Sequence, residues 1–251
     1  DCLLSRGLGD VYKRQVVIGG DGSFTGAKDL SKYGVNVIGL PGTIDLDIAY
    51  TEYTIGFDTA VNTAMEAIDR LRETSNSHER CSVVEVMGRS AGYIALWCGI
   101  ANGAEEILLP ERFDNDYDKL IEEIKKNREA GMTHQVVINA EGVGHSYELA
   151  QRIEEATGVE TRATILGHLQ RGGSPTARDR VYASVMGSYA VDIIDQGKKN
   201  RLVGYKDGHV YDIDIEEAFK LKKSIDDYEY QVASILAVSY THLTLPTNSL
   251  V

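Results

Sequence analysis

Short apolar runs alternate with amphipathic stretches of helical period along most of this chain, from about residue 16 to residue 237. The apolar runs lie at 16–18, 35–40, 82–87, 106–108, 135–139 and 160–165, and the helical stretches at 25–32, 59–74, 91–101, 116–130, 147–157 and 175–196. Strands that are apolar on both faces are typical of parallel sheets covered by helices on both sides. The pattern therefore predicts an α/β fold with mainly parallel sheets.

The composition limits the partners that such a fold can have. The 26 Lys and Arg against 38 Asp and Glu give a net charge of −12, which argues against nonspecific binding to nucleic acid or to an anionic membrane. No apolar run approaches the roughly 18 residues of a membrane span, and the N-terminus has no apolar core of a signal peptide. Cys2, Cys81 and Cys98 form no CxxC pair and are typical of reduced thiols. We therefore expect a cytoplasmic protein.

The two ends of the chain fit neither pattern. Residues 1–15 and 238–251 resemble adaptor-derived read-through at the ends of translated fragments, so we treat both as non-native tails. The alternative is that they are genuine but irregular termini. If residues 1–15 are foreign, we expect native sequence to be missing upstream.

In parallel α/β sheets, ligands bind beyond the carboxyl ends of the strands, so the loops that follow the strands are the candidate sites. The first such loop is the GGDGS run at 19–23, whose small residues precede a helix and suit phosphate oxygens. Asp21 is a candidate for Mg²⁺ at those phosphates. The alternative is a tight strand-to-helix turn, which glycine serves equally well.

The second loop, PGTIDLD at 41–47, begins with a predicted turn at Pro41–Gly42 and carries two carboxylates. If the loop is extended, Asp45 and Asp47 point to the same side. One carboxylate can then accept a proton from an attacking hydroxyl, as phosphoryl transfer requires, while the other tunes charge or contacts metal. The alternative is ordinary turn chemistry.

Later loops carry cationic groups at predicted strand ends. They contain Met87-Gly88-Arg89, Glu141, and His168 with Arg171, and four arginines lie near strand ends: Arg80, Arg89, Arg162 and Arg171. A helix that starts at Ser174 and Pro175 would place its N-terminus beside Arg171, and together they would bind one anion. Taken singly, such an arginine is usually a solvated surface charge and such a histidine a structural one.

Taken together and in order, GGDGS, PGTIDLD, VVEVMGR, the loop at Glu141 and ETRATILGHLQRGGSP resemble the bacterial ATP-dependent 6-phosphofructokinases. The resemblance covers residues 16–237. GGDG alone also occurs in lipid kinases and NAD kinases, which are not expected to carry PGTID or GHLQRGGSP.

The resemblance implies transfer of the ATP γ-phosphoryl group to the 1-hydroxyl of fructose 6-phosphate, with Mg²⁺. It implies two similar Rossmann-like three-layer domains: an incomplete nucleotide-binding domain at 16–56 with 170–220, and a sugar-phosphate-binding domain at 57–169 with 221–237. It also implies a homo-oligomer, a tetramer with shared active sites. The family has a further strand and a Gly-rich nucleotide loop before the point where this match begins, so an inactive fragment is one expectation for this chain as written.

The resemblance also implies roles for individual residues. Asp45 is the general base, Thr43 seats the reacting groups, and Arg89 neutralises charge on the transferred group. The substrate-binding set is Thr43, Asp45, Arg80, Met87, Gly88, Arg89, Glu141, Arg162, His168 and Arg171, with Arg80 and Arg162 reaching a neighbouring subunit. The nucleotide set is Gly20, Asp21, Gly22 and Ser23, with Asp21 near the magnesium, and the effector set is Arg72, Gly103 and Glu105.

The donor and two departures from the family pattern can also be read from the residues. Relatives that use pyrophosphate typically carry Asp and Lys where this chain has Gly22 and Gly42, so ATP is the favoured donor. Leu46 replaces the usual Asn between the two aspartates. Ala130 and Met132 replace two effector-site lysines, which predicts weak or absent activation by ADP or a different effector. The alternatives are a pyrophosphate-dependent phosphofructokinase and a noncatalytic sugar-phosphate-binding subunit.

Overall fold

The structure is a computed structural model that describes residues 14–132 and 134–238, with only the backbone at 76 and 238. In chain order the elements are β1 (Arg14–Gly19), α1 (Asp21–Lys32), β2 (Asn36–Thr43), β3 (Ile55–Gly56), α2 (Phe57–His78), β4 (Cys81–Val86), α3 (Tyr93–Asn102), β5 (Glu106–Leu108), α4 (Tyr117–Glu129), β6 (Gln135–Ala140), α5 (Ser146–Thr157), β7 (Thr161–Ile165), a 3₁₀ helix (Gly167–Arg171), α6 (Ala177–Asp195), β8 (Arg201–Lys206), β9 (His209–Asp214), α7 (Ile215–Ala218) and α8 (Asp227–Val238). None of these helices is long and apolar enough to cross a membrane.

The chain divides into two units. Unit 1 consists of the residues up to Ala60 together with Gly173–Ser224, and unit 2 consists of Val61–Gly172 and the residues from Ile225 onward. The chain therefore passes from unit 1 to unit 2 inside α2, and it returns after the 3₁₀ helix. The assignment of one unit to nucleotide and the other to sugar phosphate remains a prediction.

Unit 1 is built on a sheet with the order β1-β2-β8-β9, and β3 pairs with the end of β2. All of its strand pairs are parallel except β8 with β9. Neighbouring residues of β2 enter different clusters: Val37 packs with Phe24 of α1, whereas Ile38 packs with Met186 of α6. The strand is thus buried on both faces, which explains why its sequence does not alternate.

Unit 2 contains a parallel sheet with the order β5-β6-β4-β7. Val83 of β4 and Val137 of β6 are fully buried in a cluster with Ile124 of α4 and Ile153 of α5. The adjacent residues Val84 and Ile138 are equally inaccessible. The expected α/β architecture with mainly parallel sheets is therefore confirmed in both units.

Three predicted boundaries differ from the structure. Helix α1 begins at Asp21, inside the GGDGS run, because Gly20 is already extended and serves as the N-cap. Strand β2 continues through Pro41 and Gly42, so the predicted turn there is wrong. Helix α6 begins at Ala177, and its N-cap is Thr176 rather than Ser174, because the Thr176 side chain accepts a hydrogen bond from the Asp179 N–H.

The sequence patterns also missed the hairpin of β8 and β9. Its signal is the dipeptide Asp207–Gly208, with φ values of 50° and 82°, since a two-residue hairpin turn favours positive φ at both central positions. At the other end of the same sheet, Arg14 and Gln15 pair with Asn36 and Val37. These two residues were assigned to the N-terminal tail, yet they form part of β1. The remainder of that tail and residues 239–251 lie outside the described residues.

Two of the predicted thiols are described. Cys81 and Cys98 are free and buried. Burial raises the pKa of both thiols to about 12, which leaves them protonated and unreactive at neutral pH.

A buried carboxylate, that of Asp179 on α6, fixes the start of α2 in unit 1. Its Oδ1 accepts hydrogen bonds from the Tyr53 hydroxyl at 2.5 Å and the Gly56 N–H at 2.7 Å. Its Oδ2 accepts from the Thr59 N–H at 2.9 Å and from the Thr59 hydroxyl. Burial opposes ionisation of this group, but the hydrogen bonds outweigh it and lower the pKa of Asp179 below 3.8.

We expect Asp179→Asn to lower the free energy of unfolding by about 2–4 kcal/mol. The amide NH₂ group replaces one carboxylate oxygen and cannot accept the hydrogen bonds that this oxygen received. Since the folded-state pKa is lowered, the stabilisation from Asp179 is present above pH 3.8 and is lost as pH falls through the folded-state value. Denaturant unfolding from pH 7 to pH 3 measures both effects. Asp192→Asn, an exposed change on the same helix, is the control; equal stability of the two variants at pH 7 would contradict the prediction.

Candidate functional site

The Gly-rich and acidic loops of unit 1 leave adjacent parallel strands at the same edge of the sheet. Gly19 of β1 is in register with Pro41 of β2. One residue further, a Cβ atom on Gly20 would lie 3.4 Å from the Cβ of Thr43, so the two backbones approach closely there. The structure therefore brings together the GGDGS run and the Thr43–Asp47 loop.

The Gly-rich run places its polar residues in the first turn of α1. Asp21, Gly22 and Ser23 are exposed there, and no side chain caps the helix at Gly20. A helix N-terminus of this kind favours phosphate oxygens. Among the described residues no group of three or more His, Cys, Asp or Glu could hold a metal ion by itself. A single carboxylate such as Asp21 fits Mg²⁺ that is held mainly by substrate phosphates and water.

The acidic loop is not extended. Leu46, between the two aspartates, has φ 56°, which is in the left-handed region, so the extended conformation required for a same-side orientation by strand alternation is absent. Asp45 is buried, and its backbone N–H donates a hydrogen bond to the Thr43 hydroxyl at 3.2 Å.

Leu is an unfavourable residue for this backbone conformation, at a cost of about 1–2 kcal/mol. The Leu46 side chain is only 5% exposed. Full burial of a leucine side chain contributes about 1.5–3 kcal/mol, which offsets the backbone cost. Burial thus accounts for a Leu at a position where Asn would fit the backbone more easily.

In unit 2, one carboxylate organises the loop that carries Arg89. Glu141 follows β6, and its Oε2 accepts hydrogen bonds from the Gly88 N–H at 3.2 Å and the Arg89 N–H at 2.9 Å. Gly88 has φ 145° and Arg89 has φ 54°. At Gly88 a side chain would also collide with the Ala91 carbonyl, so only glycine fits.

The loop after β7 meets the same edge of this sheet. The buried Gln170 of the 3₁₀ helix accepts a hydrogen bond from the Met87 N–H at 2.8 Å. His168 and Arg171 of the same helix are exposed. The loops after β4, β6 and β7 therefore come together at one edge of the sheet, with Met87, Gly88, Arg89, Glu141, His168 and Arg171.

Arg80 and Arg162 do not join that group. Arg80 directly precedes β4 and Arg162 lies near the start of β7, about 20 Å and about 10 Å respectively along the strands from the carboxyl ends. Both pair with Glu160, Arg80 at 2.7 Å and Arg162 at 2.8 Å, and these two arginines lower the pKa of its carboxyl. Of the four arginines expected near strand ends, only Arg89 and Arg171 therefore lie beyond carboxyl ends.

The predicted effector residues come together elsewhere in unit 2. The Arg72 guanidinium donates to the Gly103 carbonyl at 3.1 Å and lies 3.5 Å from the carboxylate of the buried Glu105. Glu105 in turn accepts from the Val136 N–H at 2.6 Å. The arginine is thus already paired within the unit.

Sequence reasoning missed the residues that support the Glu141 loop. Asn139, fully buried in β6, donates to the Gly144 carbonyl and to the Ser146 hydroxyl, both at 2.8 Å. Ser146 donates to Glu85 at 2.5 Å. An Asn inside an apolar strand is the signal that was available, because a buried amide needs partners.

The chain is similar in sequence to known phosphofructokinases. A family model described as Phosphofructokinase matches residues 13–194. The chain is 57% identical over 221 residues to ATP-dependent 6-phosphofructokinase 1 of Clostridium perfringens, which covers 88% of this chain and 69% of that protein. It is likewise 57% identical over 222 residues to an ATP-dependent 6-phosphofructokinase of Clostridium botulinum, with the same coverage.

Solved structures are similar in fold. The structure of phosphofructokinase from Saccharomyces cerevisiae matches with a TM-score of 0.76 and 30% identity over 91% of this chain, which spans 35% of the yeast chain. The pyrophosphate-dependent phosphofructokinase from Marinobacter aquaeolei matches with a TM-score of 0.75 over 92% of this chain and 68% of that one. At 22% identity, the second likeness concerns the fold alone.

We expect Glu141→Ala to raise hydrogen exchange at the amides of Gly88 and Arg89 about tenfold, because both lose their acceptor. Exchange measured by mass spectrometry on a peptide spanning 86–92 reports this. Glu148→Ala, which removes an exposed carboxylate from α5, is the control and should leave the peptide unchanged. Unaltered exchange in Glu141→Ala would show that the carboxylate does not order this loop.

Proposed function

Because the chain belongs to the phosphofructokinase family, we propose that its residues carry out the 6-phosphofructokinase reaction of glycolysis. In that reaction the γ-phosphoryl group of ATP passes to the 1-hydroxyl of fructose 6-phosphate. The observation that supports this most directly is the close approach of Gly20 to Thr43, because it brings the N-terminus of α1 beside a loop with two carboxylates.

Unit 1 supplies the nucleotide site and the base. The N-terminus of α1, with Gly20, Gly22 and Ser23, binds nucleotide phosphates, and Asp21 helps to hold Mg²⁺. The metal, when bound, neutralises phosphate charge. Thr43 positions the reacting groups, and the Asp45 carboxylate accepts the proton of the sugar hydroxyl as the oxygen attacks phosphorus.

Unit 2 supplies the sugar-phosphate site. Met87, Gly88 and Glu141 contact the sugar, and His168 and Arg171 bind the 6-phosphate. Arg89, whose backbone is oriented by Glu141, neutralises charge on the transferred group. The exposure of His168 and Arg171 suits contact with an anion from solvent.

The separate location of Arg80 and Arg162 favours a role in another subunit. Both pair with Glu160 at the amino-terminal ends of the strands, whereas His168 follows the carboxyl end of β7. We therefore propose a homo-oligomer, a tetramer, in which these arginines complete a neighbour's site. The protein acts in the cytoplasm. Arg72, Gly103 and Glu105 form an effector site through which ADP activates the enzyme weakly or not at all, or which takes a different effector.

ATP is the proposed donor, and Gly22 is the position that tests it. A Cβ atom at Gly22 meets no atom within 4 Å, so an aspartate fits there. We expect Gly22→Asp to lower kcat/KM for ATP about tenfold or more, because its carboxylate repels the phosphates at the start of α1. The measurement is initial rate with ATP and with pyrophosphate as donors.

Gly26→Asp is the matched control, because Gly26 lies one turn further along the same helix and is equally open. It should change kcat/KM for ATP less than threefold, a difference worth under about 0.7 kcal/mol. Turnover of the unaltered chain with pyrophosphate but not ATP would favour the pyrophosphate-dependent alternative.

We expect Asp45→Ser to lower kcat about a hundredfold or more with little change in fructose 6-phosphate binding, since the variant loses the base but no phosphate contact. Steady-state kinetics and equilibrium binding of fructose 6-phosphate separate the two quantities. Asp29→Ser, an exposed change on α1, is the control.

A mild effect on kcat would remove the base role from Asp45. Binding of fructose 6-phosphate by the unaltered chain without any formation of ADP would support the noncatalytic alternative.

A further inference from the structure

One side chain bridges the acidic loop of unit 1. Lys223 lies in the irregular segment after α7, and its Nζ donates hydrogen bonds to the Leu46 carbonyl at 2.7 Å and to the Thr51 carbonyl at 3.0 Å. The two acceptors are five residues apart in sequence and both lie between β2 and β3. The Lys223 ammonium therefore links the part of the loop that contains Leu46 to the part that contains Thr51.

The first of these hydrogen bonds acts on the peptide between the two aspartates. The Leu46 carbonyl belongs to the peptide group that links Leu46 to Asp47, and the preceding residue is Asp45. Because Leu46 is in the left-handed region, a relaxation of its backbone would reorient both neighbouring peptides. A donor on this carbonyl opposes that relaxation.

The second hydrogen bond connects to a part of the loop that is fixed on the sheet. The buried Thr51 hydroxyl donates to the Tyr53 carbonyl at 2.8 Å and accepts from the Tyr205 N–H of β8 at 3.0 Å. The Glu52 N–H donates to the Tyr205 carbonyl at 2.9 Å. Lys223 thus ties the strained residue to a point that β8 holds in place.

The partial burial of Lys223 costs desolvation free energy. Lysine side chains are ordinarily exposed, as Lys222 is here, whereas Lys223 is half-buried. Burial lowers the pKa of Lys223 to about 8. The negative charges of Asp47 and Glu52 favour the ammonium form and partly oppose this decrease. A lysine that gains only from packing would keep its head in water. The two carbonyl hydrogen bonds and the facing carboxylates offset part of the desolvation.

We propose that Lys223 is a positioning residue that holds the acidic loop in the conformation from which Asp45 acts. This inference rests on the proposed function only for the last clause, because the restraint on Leu46 is a property of the loop itself. The side chain acts through the backbone and does not contact the reacting atoms.

The test compares three variants of the full chain by hydrogen exchange of the amides in 44–54. We expect Lys223→Met, which keeps the length of the stem but has no donor, to lower protection of these amides about tenfold. Lys223→Arg retains donors for both carbonyls and should restore protection to within about threefold. Lys222→Met is the matched control and should leave protection unchanged.

The pattern of loss separates positioning from a general loss of stability. Protection of β1 and β2 should remain unchanged in Lys223→Met, whereas a uniform loss across unit 1 would overturn the proposal. Unchanged protection at 44–54, or failure of Lys223→Arg to restore it, would overturn it as well. If Lys223→Met does not fold, Lys223→Gln replaces it, since the shorter side chain cannot reach both carbonyls.

A kinetic measurement distinguishes this inference from the proposed function. If the chain turns over, Lys223→Met should lower kcat about tenfold at unchanged KM for fructose 6-phosphate, and Lys223→Arg should restore it. Loss of protection in a chain that neither binds fructose 6-phosphate nor turns over would leave the restraint established and reject the function. Normal kcat in a variant with a loosened loop would reject the positioning role while the function stands.

Discussion

The carboxylate of Asp179 is the interaction on which the organisation of unit 1 depends. It receives four hydrogen bonds from residues 53–59, which include β3 and the start of α2, and it is itself part of a helix packed on β2. The acidic loop therefore has both ends determined, at β2 by the sheet and at β3 by this carboxylate. A loop with fixed ends can hold an unfavourable residue in its middle, and Leu46 is such a residue.

Competition between burial and backbone strain decides the shape of that loop. A leucine is unfavourable at positive φ, but its burial is worth at least as much as the strain, so the loop keeps its turn. The Lys223 hydrogen bond to the Leu46 carbonyl also favours this turn. The carboxylate of Asp45 is thus positioned by packing and by backbone hydrogen bonds rather than by strand alternation.

Charge is distributed unevenly over the arginines of this acidic chain. Arg80 and Arg162 share Glu160, and Arg72 pairs with Glu105, so these three are already matched by carboxylates. Arg89 and Arg171 instead lie exposed in the loops after β4 and β7, where the expected anion would bind. The Glu141 carboxylate accepts hydrogen bonds from backbone N–H groups, including that of Arg89, and so orients the Arg89 backbone within unit 2.

The order of strands and helices, the parallel sheets and the loops that carry the candidate residues could all be predicted from the sequence, because apolar periodicity and glycine-rich strand ends are local signals. The hairpin of β8 and β9 also had such a signal in Asp207–Gly208, which was not recognised. Other features had no local signal. They are the left-handed turn at Leu46, the hydrogen bond of Glu141 to the Arg89 N–H, the separation of Arg80 from His168 and the hydrogen bond of Lys223 to the Leu46 carbonyl. Each of these depends on residues far apart in the chain, whose contacts arise only when the strands are aligned and the side chains are buried against one another.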